Sequence, residues 1–380
     1  SRFRPVELPS AQHAFDFEFL GLVGFEDPIR PTAPDAIREC RAAGVRVTII
    51  TGDYAGTAAH VARRVGLPAG TIVTGAEIDT MDDRTLRQRV ASIDIFARVV
   101  PEQKLRLVNA FKANGEIVAM TGDGVNDAPA LRAAHIGLAM GQRGTDVARE
   151  AAALVLLDDD FSALVRGIRQ GRRIFDNLTK AMTYILAVHV PIAGLSLMPV
   201  VFNWPLILLP IHVAFLHLII DPACSVVFEA EPAADDLMRR PPRDARQPLF
   251  GRRIVGFSLL QGLVTLGVLA TLYGIVLRTG RSDLQARALT FTALIIANLG
   301  LIFTNRSWSR TIVSMLRVRN AALWWVAGGA VAFLALTIST PVGRGLFRFS
   351  PVHVGDLVLC LVVGLAPVVL FEAVKMARRR

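Results

Sequence analysis

Cysteine is scarce. Cys40, Cys224 and Cys360 are the three in 380 residues, and no CxxC pair occurs. That excludes a disulfide framework and a cysteine-based zinc site. Lysine is sparse beside arginine, and alanine is abundant, a bias that suggests a GC-rich bacterial gene. No signal peptide opens the chain. It begins at Ser1 without Met, which leads us to expect a fragment or a processed piece. The formal charge of +10 would suit a nucleic-acid binder if the basic residues clustered on one surface with aromatic interleaving, but they sit beside long apolar runs, so nucleic acid is rejected as a partner.

Long apolar runs are what the chain does have. It is 52% hydrophobic with a mean hydropathy of +0.45, high for a soluble protein. The hydrophobicity begins near Met182. Six candidate spans follow, at about 182–202, 206–228, 254–277, 286–304, 321–340 and 354–374. Each is close to the ~20 residues that cross a bilayer as a helix. The fourth holds Asn298 and follows Arg287, which makes it the weakest of the six.

The basic residues sit beside these spans. Arg239, Arg240, Arg243, Arg246, Arg252 and Arg253 lie between spans two and three. Arg306, Arg310, Arg317 and Arg319 lie between four and five, and Lys375, Arg378, Arg379 and Arg380 close the chain. The joints after spans three and five are less basic. By the positive-inside rule, residues 1–181 and the C-terminus are expected on the cytoplasmic side of a plasma (bacterial inner) membrane.

Residues 1–160 alternate strands and helices. Strands are expected at Phe17–Phe25, Val45–Ile50, Asp94–Arg98, Gly115–Met120, Ile136–Met140 and Ala153–Leu157. Helices are expected at Pro34–Ala43, Gly56–Val65, Glu102–Ala113, Asp127–Ala134 and Gly144–Ala152. Buried strands between amphipathic helices predict an α/β domain with a parallel sheet. Ligands bind such sheets beyond the carboxyl ends of the strands.

Two loops there begin Thr-Gly-Asp. The longer is TGDGVNDAPAL, Thr121–Leu131, after an apolar strand and before a helix. Its glycines let backbone approach a phosphate. Asp123 and Asp127, four apart, can hold a divalent metal and a water. The shorter, Thr51-Gly52-Asp53, follows VRVTII, and its Thr hydroxyl and Gly amide can bind a phosphoryl oxygen. Read alone it is also ordinary turn chemistry. In FARVVPEQK, Phe96–Lys104, a lysine one turn into a helix can neutralise a phosphoryl group, or be a solvated surface residue.

Together these strings resemble the phosphorylation domain of type II, calcium-pump-like P-type ATPases, built on the haloacid-dehalogenase fold. The resemblance spans about residues 19–380. It is carried by GLVGFEDPIRP at 21–31, TGD at 51–53, FARVVPEQK at 96–104 and TGDGVNDAPAL at 121–131, then by residues 136–177. It implies four parts: residues 1–160 as the C-terminal part of a cytoplasmic phosphorylation domain, 161–181 as a stalk helix, 182–374 as six transmembrane helices and 375–380 as a basic tail. It implies ATP and Mg²⁺. Asp123 would ligand Mg²⁺, with Asp127 and Asn126 supporting the metal site and phosphate loop. Thr51 and Lys104 would bind the phosphoryl group. Gly52, Asp53, Thr121 and Gly122 would complete the phosphate and nucleotide side.

The family's phosphorylated aspartate lies in a DKTGT string, and none occurs here. The chain is therefore expected to be inactive alone and to need an N-terminal half as partner. Two other readings stand beside this one. One is a truncated membrane partner or regulator of a pump. The other is a membrane-anchored phosphatase, for which Asp16 in AFDFEFL lacks the expected DxD or DxT neighbour.

Ionisable groups at mid-bilayer are functional candidates. His189 and Pro191 fall near the centre of span one, and His217, Asp221 and Pro222 near the centre of span two. Pro191 frees the carbonyl of Ala187, and Pro222 that of Leu218. Asp221 reads as an ion ligand; His189 and His217 read either as ligands or as interhelical hydrogen-bonding groups, and Asn298 as packing glue. Glu229 and Glu231 read as an entry vestibule or as solvated residues. By the resemblance, calcium-pump Asn, Glu and Thr positions are His189, Ile192, His217 and Ile220 here, and only Asp221 survives. That argues against a standard calcium site and leaves a divalent cation as the expected cargo, with histidines able to suit a transition metal or carry protons.

Overall fold

The computed structural model describes residues 18–21, 23, 28–244, 248, 250–307 and 310–377. The strand expected over Phe17–Phe25 falls largely outside them. So do Asp16, Arg246 and Arg378–Arg380. The chain divides into two compact units. One runs to Arg38 and resumes over Val47–Ser162; the other combines Glu39–Arg46 with Ala163–Arg380.

The first unit alternates helix and strand. Its elements are α1 (Ala33–Ala42), β1 (Ile49–Ile50), α2 (Ala55–Arg64), β2 (Ile72–Thr74), α3 (Gly75–Asp79), α4 (Asp83–Arg89) and β3 (Ile95–Ala97). They continue as α5 (Pro101–Ala113), β4 (Ala119–Gly122), α6 (Ala128–Ala133), β5 (Ile136–Met140), α7 (Asp146–Ala151) and β6 (Leu154–Leu156). Among the described residues two three-stranded sheets form, in the orders β1-β3-β2 and β4-β5-β6, with every pairing parallel. Ile95, Phe96 and Ala97 are all fully buried, as a strand covered on both faces requires.

Several boundaries differ from the sequence-based expectation. The Val45–Ile50 run yields only Ile49–Ile50 as strand, because only those two residues find register partners, Ile95 and Phe96. The Gly115–Met120 strand shifts to Ala119–Gly122. Residues 114–116 instead close α5, where the amides of Asn114, Gly115 and Glu116 bond back to carbonyls of Ala110, Lys112 and Phe111. Residues 66–93, left unassigned by pattern, hold β2, α3 and α4. Their signals are caps. Thr74 and Glu77 form a reciprocal capping box on α3, and Asp82 accepts the Thr85 amide at 2.7 Å on α4.

The second unit is helical. Helix α8 (Ser162–Phe202) is followed by α9 (Pro210–Pro222), a π-helical turn at Ala223–Val227 and α10 (Arg252–Arg278). Then come α11 (Asp283–Asn305), α12 (Ile312–Leu316), α13 (Ala321–Ser339), α14 (Pro341–Phe347) and α15 (Val354–Ala377). Among the described residues, six helical segments are long and apolar enough to cross a membrane: α8, α9 with its π-turn, α10, α11, α13 and α15. The expected stalk at 161–181 and span at 182–202 form one 41-residue helix, with Pro191 and Pro199 inside it.

Helix α11, expected to be the weakest of the six spans because it holds Asn298 and follows Arg287, is the most buried. Its alanines and Gly300 let neighbours approach closely, as membrane helix packing favours. Arg287 is buried and satisfied, donating to the carbonyls of Leu206 and Arg348. The other spans expose Leu and Val freely, Val200 and Val362 among them. That surface matches lipid rather than water.

Candidate functional site

Both Thr-Gly-Asp loops leave the carboxyl ends of parallel strands, β1 and β4. In the first, the Thr51 hydroxyl donates to Asp53 Oδ2 at 3.0 Å and accepts the Asp53 amide at 3.1 Å. The turn is thus closed on itself, and a phosphoryl oxygen arriving at Thr51 competes with Asp53 for the hydroxyl proton. Two backbone bonds tie this loop to the connection after β3. The Arg98 amide donates to Asp53 O at 3.0 Å, and the Val99 amide to Thr51 O at 3.0 Å. Arg98 takes a left-handed conformation there, φ 52°, a strained state for a non-glycine residue.

That connection starts α5, with Pro101 at its first position. Lys104 follows in the first turn and reaches Asp127 Oδ1 at 2.6 Å. Asp127 is buried; its other oxygen faces the amides of Asp123 and Gly124 at 3.4 Å. So Lys104 is not a solvated surface lysine but is held by Asp127. It carries a chain of bonds from the first loop to the second.

Gly122 is needed for this geometry. A Cβ there would stand 2.6 Å from Asp127 Cβ and 2.8 Å from its Oδ2. Gly122→Ala is therefore expected to destabilise the protein by about 1–3 kcal/mol, the cost of overpacking, and to weaken the Lys104–Asp127 contact. Thermal denaturation of the variant checks this. An unchanged melting temperature would show that Asp127 does not fold over the loop.

Asp123 stands apart from its neighbour. Its side chain is exposed and, among the described residues, makes no hydrogen bond or ion pair, while its carbonyl accepts the Thr145 amide at 2.9 Å. Asn126 is exposed too. No cluster of three or more His, Cys, Asp or Glu suited to a metal forms among the described residues. Mg²⁺ is satisfied by one or two carboxylates plus waters and phosphate oxygens, so an open Asp123 fits that ion and would not fit an all-protein cage. Asp127, committed to Lys104 and to backbone amides, fits a supporting place.

One positioning residue escaped the sequence reading. Gln103 is buried, accepts the Val100 amide at 3.0 Å and donates to Gly75 O at 3.1 Å and Asp79 Oδ1 at 2.7 Å. It fastens the start of α5 to α3, and thereby the helix turn that presents Lys104. Its signal lay in the PEQK string, at the third helical position that favours Glu or Gln.

In the second unit, His189, His217 and Asp221 come together. The two imidazole rings lie 5.8 Å apart, and His217 Nδ1 is 3.6 Å from Asp221 Oδ1. They face outward: the His217 side chain is 46% exposed and that of Asp221 76%. Pro222 ends α9, and the chain widens at once into the π-turn, a distortion common at functional sites. Ser225 donates to the Asp221 carbonyl at 2.7 Å. The Ala187 carbonyl lies elsewhere. A Cβ on Gly262 of α10 would be 2.7 Å from it, so that carbonyl lies against α10.

Glu231 is neither a vestibule nor solvated. It is buried against Arg306, both 1% exposed, with Arg306 Nε 2.5 Å from Glu231 Oε1. Asn320 also donates to that oxygen, at 2.7 Å. The Glu231 carbonyl accepts Arg173 Nε at 2.9 Å and Asn177 Nδ2 at 2.8 Å, both from α8. Asn298 is buried, and among the described residues both its amide atoms lack a hydrogen-bond partner.

A parallel-sheet unit with paired phosphate-type loops, joined in one chain to six membrane-length helices, defines a membrane-embedded protein with a dehalogenase-like domain. Residues 4–135 match the haloacid dehalogenase-like hydrolase model, and residues 205–377 match the model for the C-terminus of cation-transporting ATPases. The chain belongs to the type II P-type ATPases and is similar to their C-terminal part. It is 34% identical, over its whole length, to a calcium-transporting ATPase of Bacillus subtilis, of which it covers 43%. It is 37% identical, over 88% of its length, to a probable cation-transporting ATPase F of Mycobacterium bovis, covering 38% of that protein. The human calcium-transporting ATPase type 2C member 2 is 34% identical over 96% of this chain and 38% covered. The chain thus spans about two fifths of the curated relatives it matches.

Proposed function

We propose that this chain supplies the Mg²⁺-binding loop, the phosphate-binding residues and part of the ion path of an ATP-driven cation pump. The observation that carries the reading is the bonded link between the two Thr-Gly-Asp loops through Lys104 and Asp127. Lys104 neutralises charge on a transferred phosphoryl group while Asp127 fixes where its ammonium stands. Thr51 and Gly52 bind phosphoryl oxygens, with Asp53 exchanging its hold on Thr51. Asp123 offers an oxygen to Mg²⁺, whose chemistry is charge neutralisation of the phosphoryl oxygens. Asn126, Thr121 and Gly122 shape the loop around them.

DKTGT is absent from these 380 residues, so the nucleophile comes from polypeptide outside this sequence. The cargo is a divalent cation met by Asp221, His217 and His189. A carboxylate facing lipid at mid-span is costly, which supports further membrane helices packing over that face. Residues through the first part of α8 then lie in the cytoplasm, and the long α8 carries motion toward the ion residues.

Incubating the purified chain with labelled ATP and Mg²⁺ should give no acid-stable phosphoprotein, while the full-length pump gives one per molecule. Stoichiometric labelling of the isolated chain would overturn the reading. Failure of the full-length protein to label would favour a non-enzymatic membrane partner.

A further inference from the structure

We propose that the surface formed by α12 and the start of α13 is a seat for an anionic phospholipid. The inference rests on the membrane placement of the bundle, not on its ATP chemistry.

Several contacts put the relevant ends of the helices together. Gln261 in the first half of α10 accepts from Asn305 at the end of α11, and Phe257, nearer the start of α10, packs against Phe371 near the end of α15. Glu372 of α15 accepts the Ile312 amide at 2.9 Å, which pins α12 to the same end of the bundle. Met315 turns inward and is buried. Val313, at 74% exposure, and Leu316 are left facing out, with Arg317 one turn from Val313 on the same side.

The depth of this patch follows from α13. Its 19 residues span about 28 Å, close to the ~30 Å hydrocarbon thickness, so its first turn lies at the edge of the bilayer. Trp324 and Trp325 are the fourth and fifth residues of α13 and are exposed, Trp325 to 83%. Indole rings favour this level of a membrane. Arg317 and Arg319 precede the helix by a few residues and fall at phosphate height. Both are exposed, and among the described residues neither side chain is paired. Arg310, in contrast, is held by Asp235, and Arg306 by Glu231.

Two free guanidiniums, two indoles and an outward Val–Leu pair are the complement of one lipid class. The forks of arginine grip a phosphodiester, the indoles lie along the glycerol region, and Val313 and Leu316 meet the acyl chains. A free phosphate would leave the apolar half of the patch in water, so the lipid is the occupant that satisfies all of it.

The test is native mass spectrometry of the full-length protein titrated with phosphatidylglycerol or with phosphatidylcholine. R317Q/R319Q is expected to weaken the first phosphatidylglycerol by about fivefold per arginine and to leave phosphatidylcholine unchanged. R252Q/R253Q, at the start of α10, should leave both unchanged, and excess inorganic phosphate should not displace the lipid. R317K/R319K, which keeps the charge and serves if the Gln variant folds poorly, should fall between wild type and Gln. Equal weakening by R252Q/R253Q would reduce the effect to the general field of the basic end and overturn the seat. So would displacement by phosphate, or unchanged lipid binding in both Arg317/Arg319 variants.

Discussion

Asp123→Asn in the full-length pump is expected to lower Mg²⁺-dependent ATP turnover by about 10²–10³-fold, the usual loss when one stabilising group leaves a charged transition state. The protein should melt as wild type does. Asp123 reaches the rest of the fold through its backbone carbonyl, which accepts from Thr145, and Asn keeps that carbonyl. Its carboxylate supports nothing in the described structure, so what the substitution removes is charge available to a ligand. Asp127→Asn would behave differently. It takes the counter-charge from Lys104, 2.6 Å away, and the loop should lose order together with activity. Steady-state turnover and thermal melts on both variants separate the two roles. If Asp123→Asn kept more than half of wild-type turnover, Asp123 would not be the metal ligand.

Replacing Glu231 or Arg306 singly by leucine should destabilise the bundle by about 3–5 kcal/mol, because each change strands a buried charge. The pair is fully enclosed, and Arg306 further donates to the carbonyls of Met315 and Val318. The double replacement E231L/R306L is expected to cost less than either single one, since no charge is then left unpaired. Part of the cost should remain, because Asn320 also gives a hydrogen bond to Glu231. Denaturation midpoints of the three variants in lipid or mild detergent measure the coupling. Additive losses would mean that the two side chains are not paired in the folded bundle.

How much of this was readable in advance differs by element. Lys104 and the two Thr-Gly-Asp loops were found because each lies where a strand ends, and strand ends were visible as short apolar runs. The arrangement of Asp127 against Lys104 was not visible. The two are 23 positions apart, and nothing in either string says which of Asp123 and Asp127 turns inward. Helices α3 and α4 were missed because they are short and lack a periodic face; only their caps announce them. Span four reads as the weakest in sequence, since it holds Asn298 and follows Arg287. Packing reversed that judgement, because a helix surrounded by protein need not be uniformly apolar.

The sequence by itself determined the class of fold, the six spans, the Thr-Gly-Asp loops and the family resemblance. These depend on local periodicity and on residue types at fixed spacing, which act over a few residues. Only the tertiary structure decided which groups meet: Lys104 with Asp127, Glu231 with Arg306, and His189 with His217 on an outward face. Such pairings join residues distant in the chain, and their energies come from burial and from the lack of any other partner. Neither quantity exists until the elements have packed.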